Sequence, residues 1–237
     1  MTERGSKPTL EELFQRVREF PSPEVRLADL RTALSMIDSN LDATRLAESA
    51  RLRAKHDDEK PHPEDAAMEA YHLEVQLLHV LPKIVRGGFL LAMWATLEAC
   101  TKDLALFASE RTGTVLPEGL FEHGSFIKAT EVAFERHLGV PAFTNTVEKA
   151  QLLRLARVRS ALVHHNGDIR RLPQDLVAGG VRALEAEGLY VEKDLHHEYF
   201  VPTHEFLVAR LDLLDRHLMA LRARVQGLVY GSPQRDA

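Results

Sequence analysis

Cysteine and aromatic residues are scarce in this chain of 237 residues, and each scarcity excludes a class of protein. Cys100 is the only cysteine, so the chain has no internal disulfide and no cysteine-based zinc cluster. Aromatic residues make up 6% of the chain, which argues against the base-stacking platform of a single-strand nucleic-acid binder. No phosphate-binding glycine loop, dinucleotide-binding motif or G-x-S-x-G sequence is present.

The chain also lacks the segments typical of secreted and membrane proteins. Residues 1–8 contain no apolar run of the kind found in a signal peptide. The longest apolar run, residues 87–97, is shorter than the roughly 20 residues that span a bilayer. We therefore expect a soluble, cytoplasmic protein with no membrane partner.

Apolar residues recur at intervals of three and four along most of the chain, which predicts an all-α fold. We expect an up-and-down helical bundle of four to five long helices, with short accessory helices and a small β-hairpin near residues 189–201. Asn145 followed by Glu148 predicts the start of one helix, and Thr203 predicts the start of the last. Residues 56–64 read as a surface loop, and Pro82 should interrupt or kink its helix.

These signals divide the chain into four parts. We expect a mobile N-terminus at residues 1–8, N-terminal helices at 9–62, a helical bundle at 63–229 and a polar tail at 230–237. The N-terminal helices either extend the bundle or mediate contacts with other molecules.

Positive charge is concentrated in residues 149–171. This window has six basic residues and one acid, Asp168, and so a formal charge of +5, whereas the whole chain carries −5. The rest of the chain therefore carries about −10. Because an anion responds to the local field and not to the net charge, this window is the predicted anion site.

Arg159 and His164 in this window have the chemistry needed to cleave RNA without a metal. The 2′-hydroxyl of RNA can attack the adjacent phosphorus if a group with a pKa near neutrality moves the protons, and histidine is such a group. Arginine supplies a fixed, planar charge for the phosphorane oxygens. Five residues of helix, however, turn a side chain by about 140°, so the pair does not share one face of a straight helix. Either the helix ends near Val163, or two copies of the motif meet across a two-fold axis.

The sequence Arg159-Ser-Ala-Leu-Val-His164, continued by His165-Asn166-Gly167, resembles the Arg-x4–6-His motif of the HEPN superfamily of all-helical domains. The segment that contains Glu98 (WATLEACTKDL) is similar to the helix that carries an acidic residue in this superfamily. Ser160 departs from the family, in which Asn, Asp or His is more common after the arginine.

The resemblance implies a metal-independent endoribonuclease that acts as a homodimer. Arg159 and His164 would be its catalytic pair, and Glu98 would support the site. The resemblance leads us to expect substrate contacts from Arg157, Ser160, His165 and Asn166. It also implies RNA or a nucleotide as ligand, no cofactor, and an antitoxin or nucleotidyltransferase partner in a toxin–antitoxin or phage-defence system.

Two other interpretations of these residues compete with this one. The first is that the site has no catalytic role. In that case the arginines form only a solvated face of a helix, or the domain is a catalytically silent HEPN-like interaction or nucleotide-binding module. The second is a metal site, since Glu69-x-x-His72 matches half of a di-iron motif. The one other Glu-x-x-His, Glu59-x-x-His62, contains Pro61 and lies in the segment read as a loop and not on a facing helix, so we expect no metal.

Overall fold

The computed structural model is an all-α helical bundle, which confirms the predicted fold class. It describes residues 21–122, 124–165, 167–168, 170, 185, 189–193 and 198–231. The predicted mobile N-terminus at 1–8, the N-terminal helical residues 9–20 and the tail beyond residue 231 lie outside these residues.

Four long helices make up most of the described part of the chain: α1 (Pro23–Glu59), α3 (Leu81–Thr112), α5 (Thr146–His165) and α6 (His204–Tyr230). Helix α2 (Pro63–Val75) runs through a π-helical turn (Gln76–Val80) directly into α3. Helix α4 (Phe126–Glu131) continues as a second π-helical turn (Val132–His137). Strands β1 (Leu189–Lys193) and β2 (Glu198–Pro202) form the antiparallel hairpin that the sequence predicts.

The predicted loop at residues 56–64 is wrong in extent, because α1 continues to Glu59 and only residues 60–62 separate it from α2. Lys60 has a φ of 48°, the left-handed conformation that commonly ends a helix. Pro63 then begins α2, where its fixed φ and missing N–H are compatible with a first helical position. Most of the charged residues of 56–64 therefore lie on helices, because a polar sequence alone does not end a helix.

Pro82 does not break its helix. Its missing N–H and its ring disturb the preceding turn, and this turn is π-helical, with the Leu81 N–H bonded to the Gln76 carbonyl. The helix continues on both sides.

Both predicted helix starts are confirmed. The Asn145 side-chain oxygen accepts the Glu148 backbone N–H at 2.9 Å, and the Thr203 hydroxyl accepts the Phe206 N–H at 3.1 Å. Each bond satisfies an N–H that has no partner within its own helix.

The chain divides into two compact units. One comprises Met1–Arg26, Leu97–Thr144 and Asp215–Ala237, and its buried side chains include Leu104, Phe134, Leu218 and Leu221. The other comprises Leu27–Thr96 and Asn145–Leu214, and its buried side chains include Met93, Leu155, Phe200, Phe206 and Leu211.

One helix of the described chain, Pro63–Thr112, is long and apolar enough to cross a membrane by length and composition alone. Within its most apolar stretch 39% of the residues are buried inside the structure, and the core helix of a soluble protein meets the same criteria. The fold is therefore compatible with a soluble protein.

Candidate functional site

Helix α5 carries the Arg159–His164 motif and is fixed by one buried stripe. Leu152, Leu155, Val158 and Ala161 are at most 1% exposed and recur every three residues. This stripe fixes the rotation of α5 about its axis, because turning the helix would bring these apolar side chains into water. The orientation of the motif residues is therefore set by their spacing from the stripe.

The C-terminal end of α5 is held between α3 and β2. Gly167 has a φ of 77°, its N–H donates to the Ala161 carbonyl at 3.1 Å, and its carbonyl accepts the Phe200 N–H at 3.3 Å. A Cβ on Gly87 of α3 would lie 3.4 Å from Leu162 Cδ2, so the two helices approach closely there. The sequence marks Gly167 as a helix end but contains no signal for its bond to β2.

The helix extends through His164 to His165 and does not end near Val163. Of the two geometries left open by the sequence, the one in which the helix end redirects His164 is therefore wrong. Within the chain, Arg159 and His164 therefore stand about 140° apart around the helix axis.

A different set of motif residues shares a face. Arg157 and His164 are seven residues apart and both are exposed, and Ser160 lies between them, one turn before His164. Arg159 is half-buried on another face of the helix. Of the other predicted contacts, Asn166 and the His165 side chain lie outside the described residues.

Part of the positive charge of the window is already compensated. Asp168, which is 5% exposed, accepts the backbone N–H of Arg170 at 3.1 Å and lies 3.6 Å from its guanidinium. Arg157 and Arg159, by contrast, both reach the surface of α5, the former more fully. The positive field that an anion would meet near the motif therefore comes mainly from the arginines of α5 and less from the residues that follow the helix.

Glu98, the predicted supporting acid, is half-buried on α3. It belongs to the unit that contains Leu97–Thr144, whereas the motif belongs to the other unit. Its supporting role stays a prediction.

The structure also contains a charged cluster for which the sequence has no signal. Arg86 of α3 donates two hydrogen bonds, of 2.6 and 3.1 Å, to one oxygen of Asp38 on α1, and the other oxygen contacts Nδ1 of His204 at the start of α6. The pKa of the neighbouring Glu205 is lowered, mainly by its own backbone N–H and by the Thr203 hydroxyl. These partners lie 48 and 166 residues apart in the chain, which is why no local motif reveals them.

No protein-family model matches the chain, and no curated protein or solved structure is significantly similar to it. Among the described residues, no group of three or more His, Cys, Asp or Glu side chains is placed to hold a metal ion.

Proposed function

We propose that this protein is a metal-independent endoribonuclease of the HEPN type, with a composite site at a homodimer interface. The observation that carries the proposal is the motif itself, placed on a rigid helix with Arg157, Ser160 and His164 on one solvent-facing side. A rigid helix suits a catalytic site, because its groups need no reordering when substrate binds.

The reaction is a transesterification in which the RNA 2′-oxygen bonds to phosphorus and the 5′-oxygen leaves. His164 removes the proton of the 2′-hydroxyl, and a water molecule protonates the departing 5′-oxygen. Arg159 stabilises the charge that grows on the non-bridging oxygens. The products are a 2′,3′-cyclic phosphate and a 5′-hydroxyl.

The dimer supplies what one subunit lacks. Because Arg159 and His164 diverge on a continuous helix, an Arg159 that serves a given His164 belongs to the other subunit. Two copies of α5 related by a two-fold axis bring two arginines and two histidines into one cleft. Arg157, on the same face as His164, binds the RNA backbone next to the reacting phosphate.

In the cell we place this activity in the cytoplasm, in a toxin–antitoxin or phage-defence system. An antitoxin or a nucleotidyltransferase encoded beside the gene is the expected partner.

The experiment is incubation of a labelled RNA with purified protein in EDTA, with mass spectrometry of the ends. Wild-type protein should release 2′,3′-cyclic phosphates. His164→Ala should slow cleavage by about 10²–10⁴-fold, the usual contribution of a general acid or base. Arg159→Ala should slow cleavage by about 10²–10³-fold, the usual effect of removing one charge-stabilising donor.

His72→Ala is the matched control, because His72 is an exposed histidine on α2, away from the motif. It should cleave at the wild-type rate. Cleavage that survives in both motif variants refutes the assignment, and the absence of cleavage in EDTA refutes the metal-free mechanism.

A catalytically silent HEPN-like module is the second candidate, favoured by Ser160 and by the separation of Arg159 from His164 within one subunit. It predicts a dimer or heteromer that does not turn RNA over. The regularly spaced apolar residues of α6 do not offer a surface to a partner, because all of the following are buried: Leu207, Leu211, Leu214, Leu218, Leu221 and Val225.

A further inference from the structure

Helix α2 and the distal part of α1 form a helical arm without a core of its own. No residue of α2 or of the π-helical turn is buried, and no residue of α1 after Leu34 is buried. Leucines that face the groove between these helices therefore remain partly in contact with water. Two helices alone cannot remove such side chains from solvent, so part of the apolar surface of the arm stays open to water.

Polar contacts hold the arm together at both ends of this groove. At one end Asp38 binds Arg86, and at the other Lys55 and His56 bind Glu69, at 2.6 and 3.1 Å. Seventeen residues separate Asp38 from Lys55 on one helix, and seventeen separate Glu69 from Arg86 on the other. The antiparallel helices are thus connected at two points about seventeen residues apart.

Between these points the structure opens into a cavity of about 390 Å³. Two features of the sequence create the space. Ser49 and Ala70, both small, line the cavity from opposite helices, and Leu77 and Leu78 enter from the π-helical turn. A π-helical turn is wider than an α-helical one and is often found at functional sites. The volume falls within the range of roughly 300–1,000 Å³ that is typical of small-molecule sites.

The lining combines an apolar surface with positive charge. Leucines supply the apolar part: Leu52, Leu73, Leu77 and Leu78. Arg45 and Arg53 also line the cavity, and Glu74 is the only acid among its lining residues. Arg45 also lies 3.8 Å from Asp42, an exposed acid one turn earlier on α1 that does not line the cavity. This excess of positive charge is local, since α1 and α2 carry many acids elsewhere. A ligand with a negative head and an apolar body matches both features.

We propose that this groove binds a small amphipathic anion, specifically a carboxylate that carries a medium-length aliphatic chain. The apolar chain lies against the leucines, and the carboxylate pairs with Arg45 and Arg53. A partner helix fits less well, because it would have to pass over the charged contacts that close both ends of the groove. The site lies on the arm and is independent of the proposed ribonuclease activity.

Isothermal titration calorimetry with octanoate tests the proposal on the full chain. Octanoate should bind saturably at one site, and acetate and 1-octanol should each bind at least about tenfold more weakly, since each lacks one half of the matching chemistry. The double variant Arg45→Gln/Arg53→Gln should bind octanoate about tenfold or more weakly, as expected for the loss of charged hydrogen bonds. Arg51→Gln is the matched control, because Arg51 is on the same helix, does not line the cavity and pairs with Glu48.

A second variant tests the cavity itself. Ala70→Phe fills the space from the α2 side and should abolish octanoate binding, while circular dichroism confirms that the helices remain. Three results would overturn the proposal: no octanoate binding by wild type, equal binding of octanoate and 1-octanol, or equal losses in the Arg51 variant and the double variant. A wild-type dimer that Ala70→Phe converts to monomers, together with no octanoate binding, would identify the groove as an interface between copies and would also overturn it.

Discussion

Two glycine-to-alanine substitutions in the same unit should change stability in opposite directions. Gly167 follows α5 with a φ of 77°, where an alanine costs about 1–2 kcal/mol. The nearest atoms to its added Cβ, in Phe200 and Leu162, lie 3.6–3.8 Å away, which is ordinary contact, so the cost is in the backbone and not in a clash. Gly88 lies on an exposed face of α3, and its Cβ would meet nothing within 4 Å. Alanine should therefore stabilise the protein there by about 0.5–1 kcal/mol.

Thermal unfolding followed by circular dichroism measures both effects. For a chain of this length 1 kcal/mol corresponds to roughly 2–4 °C in Tm. Gly167→Ala should thus lower Tm by about 2–8 °C, and Gly88→Ala should raise it by about 1–4 °C. An unchanged or raised Tm for Gly167→Ala would refute the left-handed backbone conformation of Gly167 after α5. A lowered Tm for Gly88→Ala would show that this face of α3 is covered in the folded protein.

Two further predictions concern helix starts. Asn145→Ala removes the bond to the Glu148 N–H and should lower the free energy of unfolding in urea by about 0.5–2 kcal/mol. Ser125→Ala is the control, because Ser125 stands at a helix start without a side-chain cap bond, and it should change this free energy little. Equal losses in the two variants would contradict the capping role of Asn145. The folded-state pKa of Glu205 is lowered from 4.5, so its ionised form adds stability above the unfolded pKa, and this stability is lost as the pH falls through the folded value. Glu205→Gln should therefore be less stable than wild type at neutral pH and converge with it in acid, and a constant difference across the pH range would rule this out.

The sequence predicts the elements of this fold better than their ends. Apolar spacing correctly predicts the long helices of the described chain, and the Tyr, Phe and Val residues of 189–201 correctly predict the hairpin. The side chains of Asn145 and Thr203 correctly predict two helix starts, since capping is a local interaction. The end of α1 is missed because prolines and charges in residues 56–64 mark a loop that begins only at Lys60. The π-helical turn before Pro82 is missed because a proline predicts a disturbed helix but not the form of the disturbance.

At the candidate site the sequence predicts the local arrangement of residues along the helix, but it does not predict the long-range contacts. Counting residues along α5 is enough to show that Arg159 and His164 diverge, and the structure adds that the helix does not end between them. The bond from Phe200 to Gly167 depends on two segments that lie more than thirty residues apart, so no single stretch contains it. The same holds for Asp38, Arg86 and His204, which meet only through tertiary folding.

A mixing experiment tests most directly whether Arg159 of one subunit acts with His164 of the other. Arg159→Ala and His164→Ala proteins are purified separately, mixed under conditions that allow subunits to exchange, and assayed for RNA cleavage in EDTA. In a mixed dimer one Arg159 and one His164, from different subunits, remain in the shared cleft. Mixing should therefore restore cleavage well above that of either variant alone. A mixture that is shown to contain mixed dimers but is no more active than its parents would contradict the composite site.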